Sequence, residues 1–249
     1  ALLRLVRDGL GKERYRAESR RYRDAGRLLA GARDAEVKLE TLAGLRERYP
    51  DELPATERLR GALEAERDHL AAAQAGGLEQ RLERAGEAIA AGGAAIDAWD
   101  LTDDDGFELL RAGLERSYRR GRHGFRALGE DPADEAVHEW RKHVKDLWYH
   151  LRLLRPIWPG TMKGAIGAAG VLADLLGEHH DLAVLIDDVR AGTADDRGDE
   201  ALIPLARRRQ RELVAQALPL GERLYAEKPK RFADRLAAYW DAWRRGDSV

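Results

Sequence analysis

A row of basic side chains lies on one face of the helix predicted between residues 136 and 155. With about 100° of rotation per residue, the row covers roughly a third of the helix circumference and consists of His138, Arg141, Lys142, Lys145 and Arg152. The opposite face is apolar and can pack into a helical bundle; it carries Trp140, Val144, Leu147 and Leu151. Because Arg grips phosphate oxygens bidentately and Lys supplies a compact positive charge, the basic face suits a phosphate-bearing ligand.

Two more predicted helices carry basic rows of the same kind. One row lies in residues 12–31 and consists of Lys12, Arg16, Arg20, Arg23 and Arg27; the other lies in residues 104–129 and consists of Arg116, Arg119, Arg122, His123 and Arg126. Like charges at i,i+4 destabilise a helix by about 0.2–0.5 kcal/mol per pair, whereas pairs of opposite sign support it. Three rows of one sign therefore indicate either an anion that the cations share or neutralisation by acidic residues of a neighbouring helix. A fourth basic cluster adds Arg207 and Arg208 as candidates.

Inorganic polyphosphate is the anion that this pattern fits best. It carries about one negative charge per phosphate unit, and each cation that it contacts releases counterions and adds affinity. Such binding needs no nucleophile, metal ion or cofactor, so we predict none of these and a non-enzymatic protein. Nucleic acid is disfavoured because base recognition requires aromatic or polar groups among the cations, and Tyr149 is the clearest of few.

Charge is segregated along a chain that is close to neutral. Its 249 residues include 43 Lys and Arg and 45 Asp and Glu, for a formal net charge of −2, yet residues 1–33 contain ten basic and four acidic side chains. Such segregation can focus a binding field without a large net charge. The longest uncharged apolar stretch, residues 164–173, is far shorter than the roughly 20 residues of a membrane span. With no cysteine and no signal-peptide pattern, we expect a cytoplasmic protein, associated with polyphosphate granules and without a membrane partner.

The periodicity of apolar residues predicts an all-α fold. The predicted helices are 1–8, 12–31, 33–49, 55–75, 78–98, 104–129, 133–155, 161–177, 179–191, 200–226 and 229–245. The chain also repeats itself, because residues 4–7 align with 152–155 and residues 33–37 align with 180–184, at offsets of 148 and 147. We therefore predict two related helical bundles, residues 1–129 and 130–249, with a basic groove or pore between them. Arg33 and His180 are aligned partners and join the candidates for phosphate binding.

Several of these residues form a pattern shared with a known family. They are His138, Arg141, Lys142 and Lys145 with the Leu-Arg-Leu-Leu-Arg ending of their helix, Leu176-Gly177 with His180-Asp181, and Tyr22-Arg23-Asp24 with residues 33–37. In these features the chain resembles the CHAD domain, a histidine-containing α-helical domain. The resemblance implies two helical bundles related by an internal repeat, whose basic residues line a polyphosphate-binding surface.

The resemblance also implies a fused or associated triphosphate-processing domain. Such a domain would lie outside this chain, because the sequence contains no β-rich segment and no Glu-x-Glu-x-Lys motif. The first-repeat counterpart of the His138 helix is present only as its tail, from Ala1 onward, and this tail contributes Arg4 and Arg7 as candidates for phosphate binding. We therefore expect further residues upstream.

Two other interpretations of the same residues stay open. Glu66 with His69, and Glu135 with His138, have the Glu-x-x-His spacing of di-metal carboxylate sites in four-helix bundles, although the cations beside His138 would repel a metal ion. The basic faces also suit a helical scaffold that binds acidic proteins or, less well, nucleic acid. His143 does not pair with His138 on a metal, since five residues separate them by about 140° around a helix.

Overall fold

The chain is all-α, as predicted. The computed structural model describes residues 2–29, 32–53, 56–99, 101, 106–192 and 200–246, and no strand occurs in these ranges. The helices are α1 (Leu2–Leu5), α2 (Arg7–Leu10), α3 (Lys12–Leu29), α4 (Ala32–Arg48), α5 (Glu57–Ala75), α6 (Leu78–Ile96), α7 (Glu108–Ala127), α8 (Asp134–Leu153), α9 (Pro159–Ala191), α10 (Ile203–Leu224) and α11 (Pro229–Gly246), with a 3₁₀ turn at Arg155–Ile157. Within this described part, no helix is both long enough and apolar enough to cross a lipid bilayer.

Two predicted helix boundaries are wrong. The predicted helix 1–8 is two short helices, α1 and α2, because the backbone at Val6 leaves the helical region with φ −88° and ψ 11°. The predicted helices 161–177 and 179–191 are one helix of 33 residues, α9. Gly177 does not end it, since glycine inside a helix lowers stability by only about 0.5–1 kcal/mol relative to alanine. The buried residues Leu176 and Leu182 on either side hold the helix in place.

The contacts divide the chain into two compact units. The first contains Ala1–Ser19, Ala98–Gly177 and Val214–Val249, and the second contains Arg20–Asp97 and Glu178–Leu213. Three helices, α3, α9 and α10, contribute residues to both units. The contacts group segments by packing and not by sequence repeat, so they do not test the predicted division near residue 130. That division stays a prediction, as does the groove or pore between the repeats.

The first unit is organised around a large apolar core. Helix α8 buries Val137, Trp140, Val144, Leu147 and Leu151, each with at most 2% of its surface exposed. Helix α7 places Tyr118 in the same core, where its ring stacks on Phe232 of α11 at 4.0 Å and its hydroxyl donates to the Leu224 carbonyl at 2.9 Å. Each large buried side chain contributes about 1.5–3 kcal/mol. The orientation of α7 and α8 is therefore fixed by their apolar faces.

The second unit has a smaller apolar core and several ion pairs. Leu42, Leu45, Leu63, Leu185 and Ile186 are buried there. Around them, Lys38 pairs with Asp188 at 2.8 Å and with Glu66 at 3.2 Å. Polar contacts between chain segments thus supplement apolar burial in this unit.

The first unit contains a close approach of two helices that allows a test. A Cβ atom at Gly113 of α7 would lie 2.1 Å from the Leu5 carbonyl oxygen of α1. We expect Gly113→Ala to destabilise this unit by about 1–3 kcal/mol, since α1 must move away. All six tryptophans lie in the first unit, so urea denaturation followed by tryptophan fluorescence measures the change selectively.

Gly164 provides the matched control, because it lies in α9 of the same unit with open space where a Cβ would be. Gly164→Ala is expected to stabilise by about 0.5–1 kcal/mol. Equal unfolding midpoints for the two variants would contradict the close α1–α7 contact.

Candidate anion-binding site

Helix α8 presents its basic row on the face opposite the core. Lys142 and Arg152 are exposed, and His138, Arg141 and Lys145 are half-buried. The apolar residues predicted for the other face, Trp140, Val144, Leu147 and Leu151, are all buried. The row is thus positioned by packing on the far side of its own helix.

The cations of this row differ in their partners. Lys142 donates to Glu139 one turn earlier, and this hydrogen bond holds the pKa of the Glu139 carboxyl below its usual range. The guanidinium of Arg152 lies 4.7 Å above the centre of the Trp148 ring. Arg141 and Lys145 form no ion pair with any described residue, and the buried Nε of Arg141 has no hydrogen-bond partner among these residues. Unneutralised positive charge therefore lies in the middle of the row.

The five residues of the predicted α7 row fall into three groups. Arg116 and Arg119 pair with carboxylates, Arg116 with Asp8 at 2.8 Å and Arg119 with Glu115 at 3.5 Å. Arg122 donates from Nε to the Tyr225 carbonyl at 3.0 Å and so anchors the end of α10. His123 and Arg126 are exposed, and neither has an ion pair in the part of the chain that the structure describes.

Helix α1 brings first-repeat cations to the same unit. Arg4 donates to Asp146 of α8, a carboxylate that is only 14% exposed. Burial opposes a charge on Arg4, but the hydrogen bond and attraction from Asp146 outweigh it and raise the pKa of the guanidinium. In α2, Arg7 lies 5.3 Å from the centre of the Tyr15 ring, and Arg16 of α3 is exposed. The structure therefore brings cations of α1, α7 and α8 together within one unit.

A basic groove lies between α7 and α8. Its volume is about 470 Å³, and it is lined by Arg119, Arg120, His123, Gly124 and Ala127 of α7 and by Ala136, Glu139 and His143 of α8. Burial lowers the pKa of His143, and the nearby guanidinium groups of Arg120 and Arg4 lower it further, against the opposing pull of Asp146 and Glu139. The groove combines two guanidinium groups and two imidazoles with one carboxylate that already pairs with Lys142.

Sequence reasoning missed Arg120 and His143. Arg120 is adjacent to a predicted residue and belongs to the same basic stretch, so its charge was a usable signal. His143 points away from the basic row of α8, and only the packing of α8 against α7 turns it into a groove residue.

The family of this chain follows from a comparison with known protein families. The family model that describes the CHAD domain matches residues 1–190. The chain belongs to the CHAD domain family. No match was found among curated proteins or among solved structures.

The CHAD match includes every predicted site residue except Arg207 and Arg208. Several of the predicted site residues lie in the second unit. Arg20 and Arg23 are exposed, and Arg27 pairs with Asp24 at 3.3 Å. His180 is half-buried, and the side chain of Arg33 is outside the described residues. Arg207 donates to Gln210 at 2.8 Å. Arg208 donates two hydrogen bonds to Glu52, of 2.7 and 2.8 Å, and its guanidinium lies 4.1 Å from the centre of the Tyr49 ring.

A cavity of about 400 Å³ in the second unit of this CHAD domain is charge-balanced. Arg209 lines it and grips Glu178 through two hydrogen bonds of 2.6 and 2.9 Å. Arg48, at the same cavity, donates to Glu212 at 3.1 Å, and Tyr49 donates to the same carboxylate at 2.9 Å. Because both guanidinium groups already hold carboxylates, this cavity is a poorer anion site than the α7–α8 groove.

The di-metal interpretation requires a cluster of metal-binding side chains, and the described ranges contain none. No set of three or more His, Asp or Glu side chains is placed there to hold a metal ion. Glu66, one of the two predicted carboxylates, accepts hydrogen bonds from Lys38 instead.

Arg122 and Arg126 belong to the same α7 row, but only Arg122 donates to a backbone carbonyl, so the two residues should differ in their effect on stability. We expect Arg122→Ala to lower the free energy of unfolding by about 1.5–3 kcal/mol, because a charged donor to the Tyr225 carbonyl is lost. Arg126→Ala should change it by at most about 0.5 kcal/mol, since that side chain is exposed and makes no ion pair in the described chain. Urea denaturation of both variants measures the difference. Equal stabilities would show that the Arg122 contact does not anchor α10.

Proposed function

We propose that this CHAD domain binds inorganic polyphosphate without converting it, through basic residues of both sequence repeats. In the first unit, the first half of the chain supplies Arg4, Arg7, Arg16 and the α7 row, and the second half supplies the α8 row. Binding of this kind uses no nucleophile, general base or metal ion.

The observation that carries the proposal is the unneutralised charge on α8 and α7. Arg141 and Lys145 on α8, and Arg120 and Arg126 on α7, have no ion pair among the described residues. A surface that keeps several like charges unpaired is stabilised when a polyanion binds. Each phosphate contact then adds affinity through counterion release.

The paired cations remain accessible to such a ligand. Lys142 and Glu139 are each 48% exposed, and Arg119 is 64% exposed. Exposed ion pairs contribute only about 0–1 kcal/mol. A phosphate oxygen can therefore replace the carboxylate at these positions at small cost, which adds Lys142 and Arg119 to the contacts.

Charge reversal on α8 tests the proposal. We expect the combined change Arg141→Glu, Lys142→Glu and Lys145→Glu to weaken binding of long-chain polyphosphate at least about 100-fold at fixed salt, because three favourable phosphate contacts become repulsive. Isothermal titration calorimetry measures the affinity, and far-UV circular dichroism should show unchanged helicity.

The matched control reverses three exposed cations of the same unit, Lys228, Lys230 and Arg231, at the start of α11. It changes the net charge equally but leaves α7 and α8 intact, so the affinity should fall less than about tenfold. Equal losses in both triple variants would mean that only net charge matters. Unchanged affinity in the α8 variant would remove that helix from the site.

A further inference from the structure

We propose that the α7–α8 groove is a proton-linked phosphate site, in which an anion held by Arg119, Arg120 and His123 is bound together with uptake of one proton by His143. The inference rests on the proposed function for the identity of the anion. Neither Arg120 nor His143 belongs to the basic rows that the sequence revealed.

The groove has room for part of a phosphate chain, and its largely apolar wall carries four basic side chains, those of Arg119, Arg120, His123 and His143. At about 30 Å³ per water, its volume of about 470 Å³ corresponds to roughly fifteen waters. Arg119 and Arg120 approach from α7, and His143 faces them from α8. A phosphate group between these helices would contact guanidinium groups on one side and an imidazole on the other.

The surroundings of His143 favour the neutral imidazole when the groove holds no anion. Burial disfavours the charged form, and Arg120 of α7 and Arg4 of α1 repel a proton. Two carboxylates of α8 attract one, but Glu139 is hydrogen-bonded by Lys142, and Asp146 is hydrogen-bonded by Arg4. The carboxylates are thus partly neutralised, while Arg120 has no ion pair with any residue in the described ranges.

An anion in the groove reverses this balance. Its negative charge offsets the field of Arg120 and attracts a proton to His143, and the imidazolium then donates a hydrogen bond to a phosphate oxygen. Binding therefore raises the pKa of His143 from its lowered value in the free protein. Because such coupling is reciprocal, protonation of His143 strengthens anion binding.

The anion affinity depends on pH between two pKa values of His143, that in the free protein and that in the complex. Below the pKa of the free protein, His143 is protonated in both states, and above the pKa of the complex it is neutral in both. Between these two values the affinity rises as the pH falls, with a slope of up to about one decade per pH unit for one proton. His123 also lines the groove, so its contribution must be measured separately.

Tripolyphosphate is a suitable probe, titrated by calorimetry between about pH 5 and pH 8 into the wild-type chain and into His143→Gln and His123→Gln. The titration of the ligand itself cancels between proteins. Relative to His143→Gln, the wild-type affinity should rise by up to about tenfold per pH unit on acidification. His123→Gln should bind more weakly at every pH, because it removes a groove residue, but should retain this pH dependence. Repeating the titrations in buffers of different ionisation enthalpy should show about one proton fewer taken up by His143→Gln.

Nuclear magnetic resonance titration of the wild-type imidazoles keeps the test valid even if a variant folds poorly. The His143 signal should titrate below the usual histidine range alone and at higher pH with tripolyphosphate present. An equal slope in wild type and His143→Gln, or a His143 signal that the ligand does not shift, would overturn the proton linkage alone. No binding of tripolyphosphate or longer chains by the wild-type protein at any pH would overturn the proposed function itself.

Discussion

Burial of the apolar face of α8 is the interaction on which the basic surface depends. Val137, Trp140, Val144, Leu147 and Leu151 are at most 2% exposed, and each contributes about 1.5–3 kcal/mol as an upper estimate. Repulsion between like charges on the other face amounts to about 0.2–0.5 kcal/mol per i,i+4 pair. Packing therefore outweighs the repulsion many times over, and the helix can hold an unfavourable row of cations in place. Helix α7 follows the same logic, since buried Leu114 and Tyr118 lie opposite its exposed basic residues.

The cations have distinct roles although they look alike in sequence. Arg122 holds a backbone carbonyl, and Arg208 holds Glu52 and covers the Tyr49 ring. Such residues support the fold. Arg4, Arg116 and Lys142 are matched by carboxylates, so the surface is partly neutralised by the protein's own acidic residues. Arg126, Arg141 and Lys145 have no ion pair among the described residues, and in the proposed function they supply the charge that attracts a polyanion. A chain with a formal net charge of −2 can thus attract anions locally.

Much of the fold could be predicted from sequence, because helical periodicity reports directly on which residues are buried. The all-α class and the two faces of α8 follow from the spacing of apolar residues alone. The continuity of α9 through Gly177 could not be predicted, because its neighbours in space, and not its own preference, keep the helix intact. The ion pair between Arg4 and Asp146 spans 142 residues, and that between Arg208 and Glu52 spans 156. No local pattern encodes such pairs, and for the same reason the groove residue His143 escaped detection.

The central claim is that many cations act together on one extended anion. Affinities of polyphosphates of graded length, each measured across a salt series, test it most directly. Every phosphate that replaces counterions steepens the fall of log affinity with log salt concentration. We expect this slope to grow with chain length and then to level off once the basic surface is filled. The same shallow slope for pyrophosphate and for long chains would mean that a single cation cluster does the binding, and it would contradict the account.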